Sequence, residues 1–266
     1  MMLWPLSQIP FADGRIPAFV VILLRIAGML AAVPAIGTSV VPLQVRIGLV
    51  LGLSVVLAPV VGSRIEAMEA SPDIMARLVV TEFLIGAACG LCVRLVFAAF
   101  EMAGEVLGIQ MGISMAAVLD PMAGASVPLL GRFLGLLAFL LFFAIDGHHL
   151  MVEALAESFT LLPPLRAQFS GAVAGALVTQ ALGMFVLALK IAAPVMTALF
   201  VVTFAMGILG RTIPQFNLLL NSVTVTFGLG LLVLGLSLPL LGTLAQTSLA
   251  QLGETLRGLL TVIGQV

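Results

Sequence analysis

Apolar runs of bilayer length recur along this chain, and short polar islands separate them. A helix needs about 20 apolar residues to cross a hydrocarbon core. Ile16 to Val33 is one such run, with Arg25 inside it. Val40 to Val61 is the next, interrupted by Pro42, Arg46 and Pro59. A charged loop from Ser63 to Arg77 follows, holding Arg64, Glu66, Glu69 and Asp73. Ile74 to Phe100 predicts a third span that carries Glu82 and Arg94, and Leu129 to Ile145 predicts a fourth. Ala172 to Leu209 has Lys190 and Pro194 near its middle, so it predicts either one long broken helix or two helices. Phe216 to Leu241 and Leu244 to Ile263 predict two closing helices. The expected fold class is an all-α membrane protein.

Several of these runs are poor lipid-facing spans. A charge at the centre of a spanning helix costs about 2.5–3.5 kcal/mol on insertion scales. Arg25, Arg46, Glu82, Arg94, Glu101, Glu105 and Lys190 all sit in or beside apolar runs. Protein neighbours, an aqueous lumen, or a position partly outside the hydrocarbon slab would account for them.

Composition agrees with the pattern. The chain is 62% hydrophobic and only 9% charged, where soluble domains carry about 25% charged residues. Net charge is −1, and no basic run suggests nucleic acid. The N-terminal MMLWPLSQIPFADGR lacks the positive n-region of a signal peptide, so retention of the first apolar segment is expected. Cys89 and Cys92 form a C-x-x-C, but inside a helix-like apolar run without partner ligands, so they read as packing residues.

Glycine is abundant, with 27 copies. Gly86/Gly90, Gly104/Gly108/Gly112, Gly131/Gly135 and Gly171/Gly175 are spaced four apart. Such faces let helix backbones approach closely in lipid, within one chain or between subunits.

The polar islands hold the candidate chemistry. Asp146-Gly147-His148-His149 contains the chain's two histidines. A metal or proton-relay role would need further ligands converging from elsewhere. The residues equally suit a helix start, with Asp146 as N-cap, Gly147 easing the turn, and Asp146, His148 and His149 as polar anchors. No nucleotide-binding loop, G-x-S-x-G or H-E-x-x-H is present. Between Gly112 and Pro128, Asp120-Pro121, Gly124 and Pro128 keep the backbone irregular. Irregular backbone at membrane depth is tolerated only inside protein or along a cavity. The segment is therefore an external loop or a re-entrant one. In the re-entrant case Met111, Met115 and Met122 would form a compliant seal. Arg211, Pro214, Gln215 and Asn217 make a second island that reads as an interhelix turn.

Taken in order, these islands resemble the FliR family of flagellar protein-export gate subunits and their counterparts in virulence type III secretion. The motifs are Val33-Pro34, Glu82/Gly86/Gly90, Ala103-Gly104-Glu105, Gln110-Met111-Gly112 and Asp120-Pro121. Asp146 to His149, Ser158-Phe159 before Pro163, Ala192-Ala193-Pro194 and Arg211/Pro214/Gln215/Asn217 follow. The resemblance departs at Thr224 and Thr226, which stand where the family usually has Pro and Lys.

The resemblance implies a non-enzymatic subunit with no cofactor and no metal. Kinked helical hairpins would pack in a helical hetero-oligomer around an axial pore. The setting would be the bacterial inner membrane, at the flagellar basal body. Implied partners are FliP-like and FliQ-like gate subunits, FlhB-like and FlhA-like export components, and unfolded flagellar substrate proteins. Residues 1–170 would be the FliP-like part and 171–266 a FliQ-like hairpin. Residues 112–128 would be a plug loop, with Met111, Gly112, Met115, Asp120, Pro121 and Met122 at the pore. Gly104, Gly108, Arg211, Pro214, Gln215 and Asn217 would serve helix packing and subunit contact. A polytopic secondary transporter with a broken-helix site is the alternative reading.

Overall fold

The structure, a computed structural model, describes residues 16–34, 41–62, 65, 72–113, 129–212 and 218–264. Every regular element among them is a helix. They are α1 Ile16–Ala32, α2 Leu43–Val61, α3 Pro72–Gln110, α4 Leu129–Ala144, α5 Gly147–Leu161, α6 Gly171–Thr212 and α7 Leu218–Gly264.

The expected first, second and fourth runs match α1, α2 and α4. Three expectations change. The third run does not stop at Phe100: α3 continues to Gln110, because residues 101–110 are mostly good helix formers and contain no proline. The Ala172–Leu209 stretch is a single helix. Pro194 removes one N–H and crowds the preceding turn, yet α6 runs through it. The two expected closing helices are one, α7, which passes through Pro239 and Gly242. Thr243 and Thr247 there donate their hydroxyls back to carbonyls of the preceding turn, so these polar residues sit comfortably inside a helix.

By length and composition α2, α3, α6 and α7 can each cross a membrane. The α4 and α5 helices qualify only together, and the chain bends by 70° between them. The α1 helix, at 17 residues, is shorter.

The chain forms two compact units. One comprises residues 1–95, 146–181 and 250–266; the other comprises 96–145 and 182–249. The units interleave along the sequence, and α3, α6 and α7 contribute to both.

In the first unit α1 and α3 cross at glycines. A Cβ on Gly28 would overlap the Phe83 carbonyl, one on Gly86 the Arg25 carbonyl, and one on Gly90 the Met29 carbonyl. The near-constant offset between these partners makes the two helices parallel. The α2 helix lies against α1 and also touches α5. Cys89 and Cys92 are buried free thiols in α3, as a packing role requires.

In the second unit α3 and α4 cross antiparallel. A Cβ on Gly104 would stand 2.6 Å from the Gly131 Cα, and one on Gly135 would stand 2.9 Å from the Glu101 Cγ. Phe97 closes this crossing against Phe142, their ring centroids 5.5 Å apart at 62°. Edge-on pairs of this kind add about 0.5–1.5 kcal/mol beyond burial.

Candidate functional site

Two constellations stand out, one in each unit. In the second unit it is the root of the 112–128 segment. The α3 helix ends in a Schellman turn: the Gly112 N–H donates to the Ile109 carbonyl and the Ile113 N–H to the Gly108 carbonyl. Gly112 has φ +77°, a left-handed conformation suited to glycine. A Cβ there would also lie 3.2 Å from a Val223 methyl on α7. Met111 is fully buried. Its side chain fills the notch left by Gly230 of α7, with Sδ 2.9 Å from where a Cβ would stand. An unbranched thioether suits so irregular a gap.

Met111 and Gly112 are therefore the fixed root of the segment. Met111 does not project from it. Beyond the segment the chain comes back to α3 about two turns earlier, where Gly131 at the start of α4 packs on Gly104. Of the expected Gly104/Gly108/Gly112 stripe, Gly104 alone makes a tight backbone crossing. Gly108 has only ordinary contact, 3.8 Å from the Leu130 Cβ, and Gly112 lies beyond the helix end. Met115, Asp120, Pro121 and Met122 fall outside the described residues, as do Pro214, Gln215 and Asn217. Arg211 is exposed at the last turn of α6. It lines a shallow cleft on that helix with Phe200, Phe204, Gly207 and Ile208.

In the first unit a buried arginine organises the fold. Arg25 has no exposure, and neither does Glu82. Arg25 Nε donates to Glu82 Oε2 at 2.7 Å, and Nη2 stands 2.6 Å from the same oxygen. Nη1 donates to the Ser158 carbonyl at 2.9 Å and to Ser158 Oγ at 3.1 Å; Nη2 donates to the Leu162 carbonyl at 3.1 Å. The guanidinium lies 4.2 Å from the Phe159 ring centroid. Arg25 thus satisfies the Leu162 carbonyl and is a second donor to the Ser158 carbonyl, which also accepts the Leu162 N–H, at the C-terminus of α5, where a cation complements the helix dipole. Ser158 Oγ in turn donates a hydrogen bond to the Leu155 carbonyl. Glu82 Oε1 is buried without a well-formed hydrogen bond, the backbone of Leu165 giving at most a poorly aligned one. Leu165 itself has φ +66°, a strained value for a branched side chain.

Sequence reasoning left three accounts open for Arg25 and Glu82, and for these two the structure shows protein neighbours. The sequence alone did not pair them. The available signal was a shared stripe: Arg25 sits one turn from Gly28, and Glu82 one turn from Gly86.

The Asp146–His149 island differs from its expected form. Asp146 occupies the N-cap position of α5, but its side chain caps no N–H. Its φ of +57° makes Asp146, not Gly147, the residue that takes the turn. Its Oδ1 instead faces His149 Nδ1 at 3.2 Å, both side chains 73% exposed. The His148 and His149 rings stack 4.1 Å apart. Donor atoms of Asp146, His148 and His149 lie within 4.8 Å of one another. All three come from one helix start, and no ligand from another element joins them among the described residues.

Thr226, where the resemblance expects Lys, is buried and turned into its own helix. Its hydroxyl donates to the Ser222 carbonyl at 2.8 Å.

Comparison with known proteins fits this architecture. A family model for bacterial export proteins, family 1, matches residues 16–252. The chain is 32% identical over 244 residues to the flagellar biosynthetic protein FliR of Pectobacterium carotovorum subsp. carotovorum, covering 90% of each sequence. It is 29% identical over 251 residues to the FliR of Bacillus subtilis (strain 168), covering 93% of this chain and 96% of that one. With the FliR of Escherichia coli (strain K12) the identity is 30% over 225 residues, covering 82% and 83%. The chain belongs to the bacterial export proteins, family 1.

Proposed function

We propose that this chain is a structural subunit of the flagellar type III export gate in the bacterial inner membrane, at the flagellar basal body. In this reading residues 112–128 obstruct the path along which unfolded flagellar proteins are exported. The observation that carries the plug assignment is the root at Met111 and Gly112. A polar, Met-containing segment leaves α3 through a Schellman turn, is pinned to α7 at Gly230 and Val223, and returns to the α3–α4 crossing at Gly131. Both described ends of the segment are held by close contact, and Met115, Asp120, Pro121 and Met122 lie between them in the sequence.

Membership of the family and the exposed surfaces of α6 and α7 support the wider assembly in this reading. These two helices leave most of their apolar surface uncovered: 28% of the most apolar window of α6 is buried and 22% of that of α7, against 56% for α3. FliP-like and FliQ-like subunits would cover them, with residues 171–266 acting as the FliQ-like hairpin and 1–170 as the FliP-like part. FlhB-like and FlhA-like components would complete the apparatus. The role is mechanical, so no catalytic step is assigned to Asp146, His148 or His149.

Deleting residues 113–127 should raise ion leakage in cells that still assemble the complex. Unchanged conductance with intact assembly refutes the plug. Co-purification in mild detergent tests the rest: recovery of this chain alone, or only as a homo-oligomer, would refute a gate subunit.

A further inference from the structure

We infer that α6 presents a docking seam for one apolar helix of another subunit, and that Lys190 pairs there with a carboxylate which that helix carries. The inference rests on the gate-subunit reading and on no part of the plug assignment. Gly183, Val186, Lys190, Ala193, Thr197 and Phe200 are exposed and alternate three and four residues apart; Phe204 and Gly207 continue the series. That is the period of a seam between two helices packed side by side. The opposite face, with Ala188, Ile191, Val195 and Leu199, is buried within the chain. From Gly183 to Gly207 the seam runs about 36 Å, long enough to take a helix that crosses the bilayer.

The seam is apolar apart from one group. Thr197 is its other polar residue, and its hydroxyl donates to the Ala193 carbonyl at 2.8 Å, so it asks nothing of a partner. Lys190 differs. It makes no hydrogen bond or ion pair with any described residue. Its own helix offers no counter-charge, since residues 171–189 and 191–210 hold no charged side chain. With 42 residues α6 is about 63 Å long, about twice the thickness of a hydrocarbon core. Uncharged helix therefore extends to both sides of the cation, whichever part crosses. An ammonium brings three donors and a full charge, and covering it with apolar side chains alone is costly. A carboxylate meets both demands, and a neutral acceptor meets only one.

The shape fits as well. Gly183 and Ala193 stand to either side of Lys190 along the seam. A Cβ on Gly183 or Gly207 would meet nothing among the described residues within 4 Å. A facing backbone can approach at such positions, which brings its Asp or Glu within reach of the ammonium. Farther along, Phe200, Phe204 and Gly207 line a cleft of about 440 Å³ that takes side chains of the facing helix. An acyl chain needs no such register, so the spacing favours a helix over a lipid.

Lys190 is the chain's only lysine, which makes the test direct. A membrane-permeant carbodiimide joins an amine to a carboxylate only where the two touch. Applied to the complex co-purified in mild detergent, it should link Lys190 to an Asp or Glu of another subunit, read by mass spectrometry of the joined peptides. Lys190→Arg should keep the complex, because the charge remains, and lose the link, because a guanidinium does not form that amide. Lys190→Met should weaken association about 10- to 100-fold, since it leaves the partner's carboxylate unpaired. Lys190→Glu should abolish association. Full recovery of the complex with Lys190→Met overturns the inference. So does an intact complex in which Lys190 is linked to no carboxylate of another subunit. Native mass spectrometry that finds Lys190→Met losing bound anionic lipid while the subunits stay together overturns it too. A lowered unfolding midpoint for isolated Lys190→Met would put the partner within this chain, with the same consequence. Recovery of the unaltered chain alone overturns the gate reading and the seam together, whereas an intact complex with Lys190 unlinked overturns the seam alone.

Discussion

Replacing Glu82 by Ala should be the most damaging single change that leaves the backbone alone. It removes the counter-charge from Arg25 while leaving that guanidinium fully buried among the Ser158 and Leu162 carbonyls and the Phe159 ring. Breaking a buried pair from one side costs about 3–5 kcal/mol, because the surviving charge has nowhere to be solvated. For a chain of this size 1 kcal/mol moves the midpoint by about 2–4 °C, so the loss should be about 6–20 °C. Glu82→Gln keeps an acceptor for Arg25 Nε and should lose less. The double variant Arg25→Met with Glu82→Leu removes both charges, and its cost should fall short of the sum of the singles by about 2 kcal/mol or more. The chain reports on itself here. Its two cysteines, Cys89 and Cys92, are 5% and 3% exposed on the same helix as Glu82. A fluorogenic maleimide therefore reads the opening of α3 directly during a thermal ramp. A midpoint loss under about 3 °C for Glu82→Ala, or strict additivity in the double variant, would refute the account of Arg25 as a buried clamp.

Other perturbations separate tight contacts from loose ones. Gly86→Ala drives a methyl into the Arg25 carbonyl and should cost about 1–3 kcal/mol in the same assay, whereas Gly175→Ala enters open space and should stabilise α6 by up to ~1 kcal/mol; equal effects would contradict the close α1–α3 crossing. Met111→Ala empties the Gly230 notch and should cost about 2–5 kcal/mol, with increased leakage through assembled gates if the segment root is set there; conductance like wild type would count against the root. Glu157→Ala breaks the exposed pair with Arg257, 2.9 Å apart, and should change stability by less than ~1 kcal/mol. Leu165→Gly relieves a left-handed backbone worth about 1–2 kcal/mol, and unfolding measurements showing a loss above ~1 kcal/mol would remove strain from the explanation of that turn.

Much of this fold was legible as a run of apolar segments, because helix and lipid impose lengths that sequence displays directly. Helix ends were less legible. The breakers did not break: Pro194 and Pro239 lie inside helices, and Gly242 marks no boundary. Neighbouring turns and the cost of exposing backbone in lipid outweigh one missing hydrogen bond. Arg25 and Glu82 were readable as charges that need partners, but their pairing lies across 57 residues and depends on which faces of α1 and α3 meet. That choice is made by backbone approach at Gly28, Gly86 and Gly90, and periodicity alone does not rank one glycine stripe above another. The Asp146 turn was misjudged in detail for a local reason. Asp tolerates positive φ nearly as well as Asn, so the residue expected to cap took the turn itself.

The glycines also separate what this chain completes alone from what it leaves to others. Those of α1, α3 and α4 at the two crossings are filled by a neighbouring backbone or side chain. Gly48 and Gly52 of α2, Gly171, Gly175, Gly183 and Gly207 of α6, and Gly228, Gly235, Gly242 and Gly258 of α7 have nothing among the described residues within 4 Å of a Cβ position. A glycine inside a helix costs roughly 0.5–1 kcal/mol relative to Ala, so these ten together sacrifice on the order of 5–10 kcal/mol. That is comparable to the whole stability of a domain. Lipid chains give no return for it, since they pack against alanine as well as against glycine. A second helix backbone does, because it can approach only where no Cβ stands. Phe200, Phe204, Leu232 and Leu236 lie on the same two long helices, each more than half exposed. Gly175→Leu and Gly207→Leu should therefore leave the isolated chain folded, with a midpoint no lower than that of the unaltered chain, while blocking co-purification with the other gate subunits. Normal recovery of the complex from both variants would mean that these open glycines face lipid, and the cost above would then need another cause.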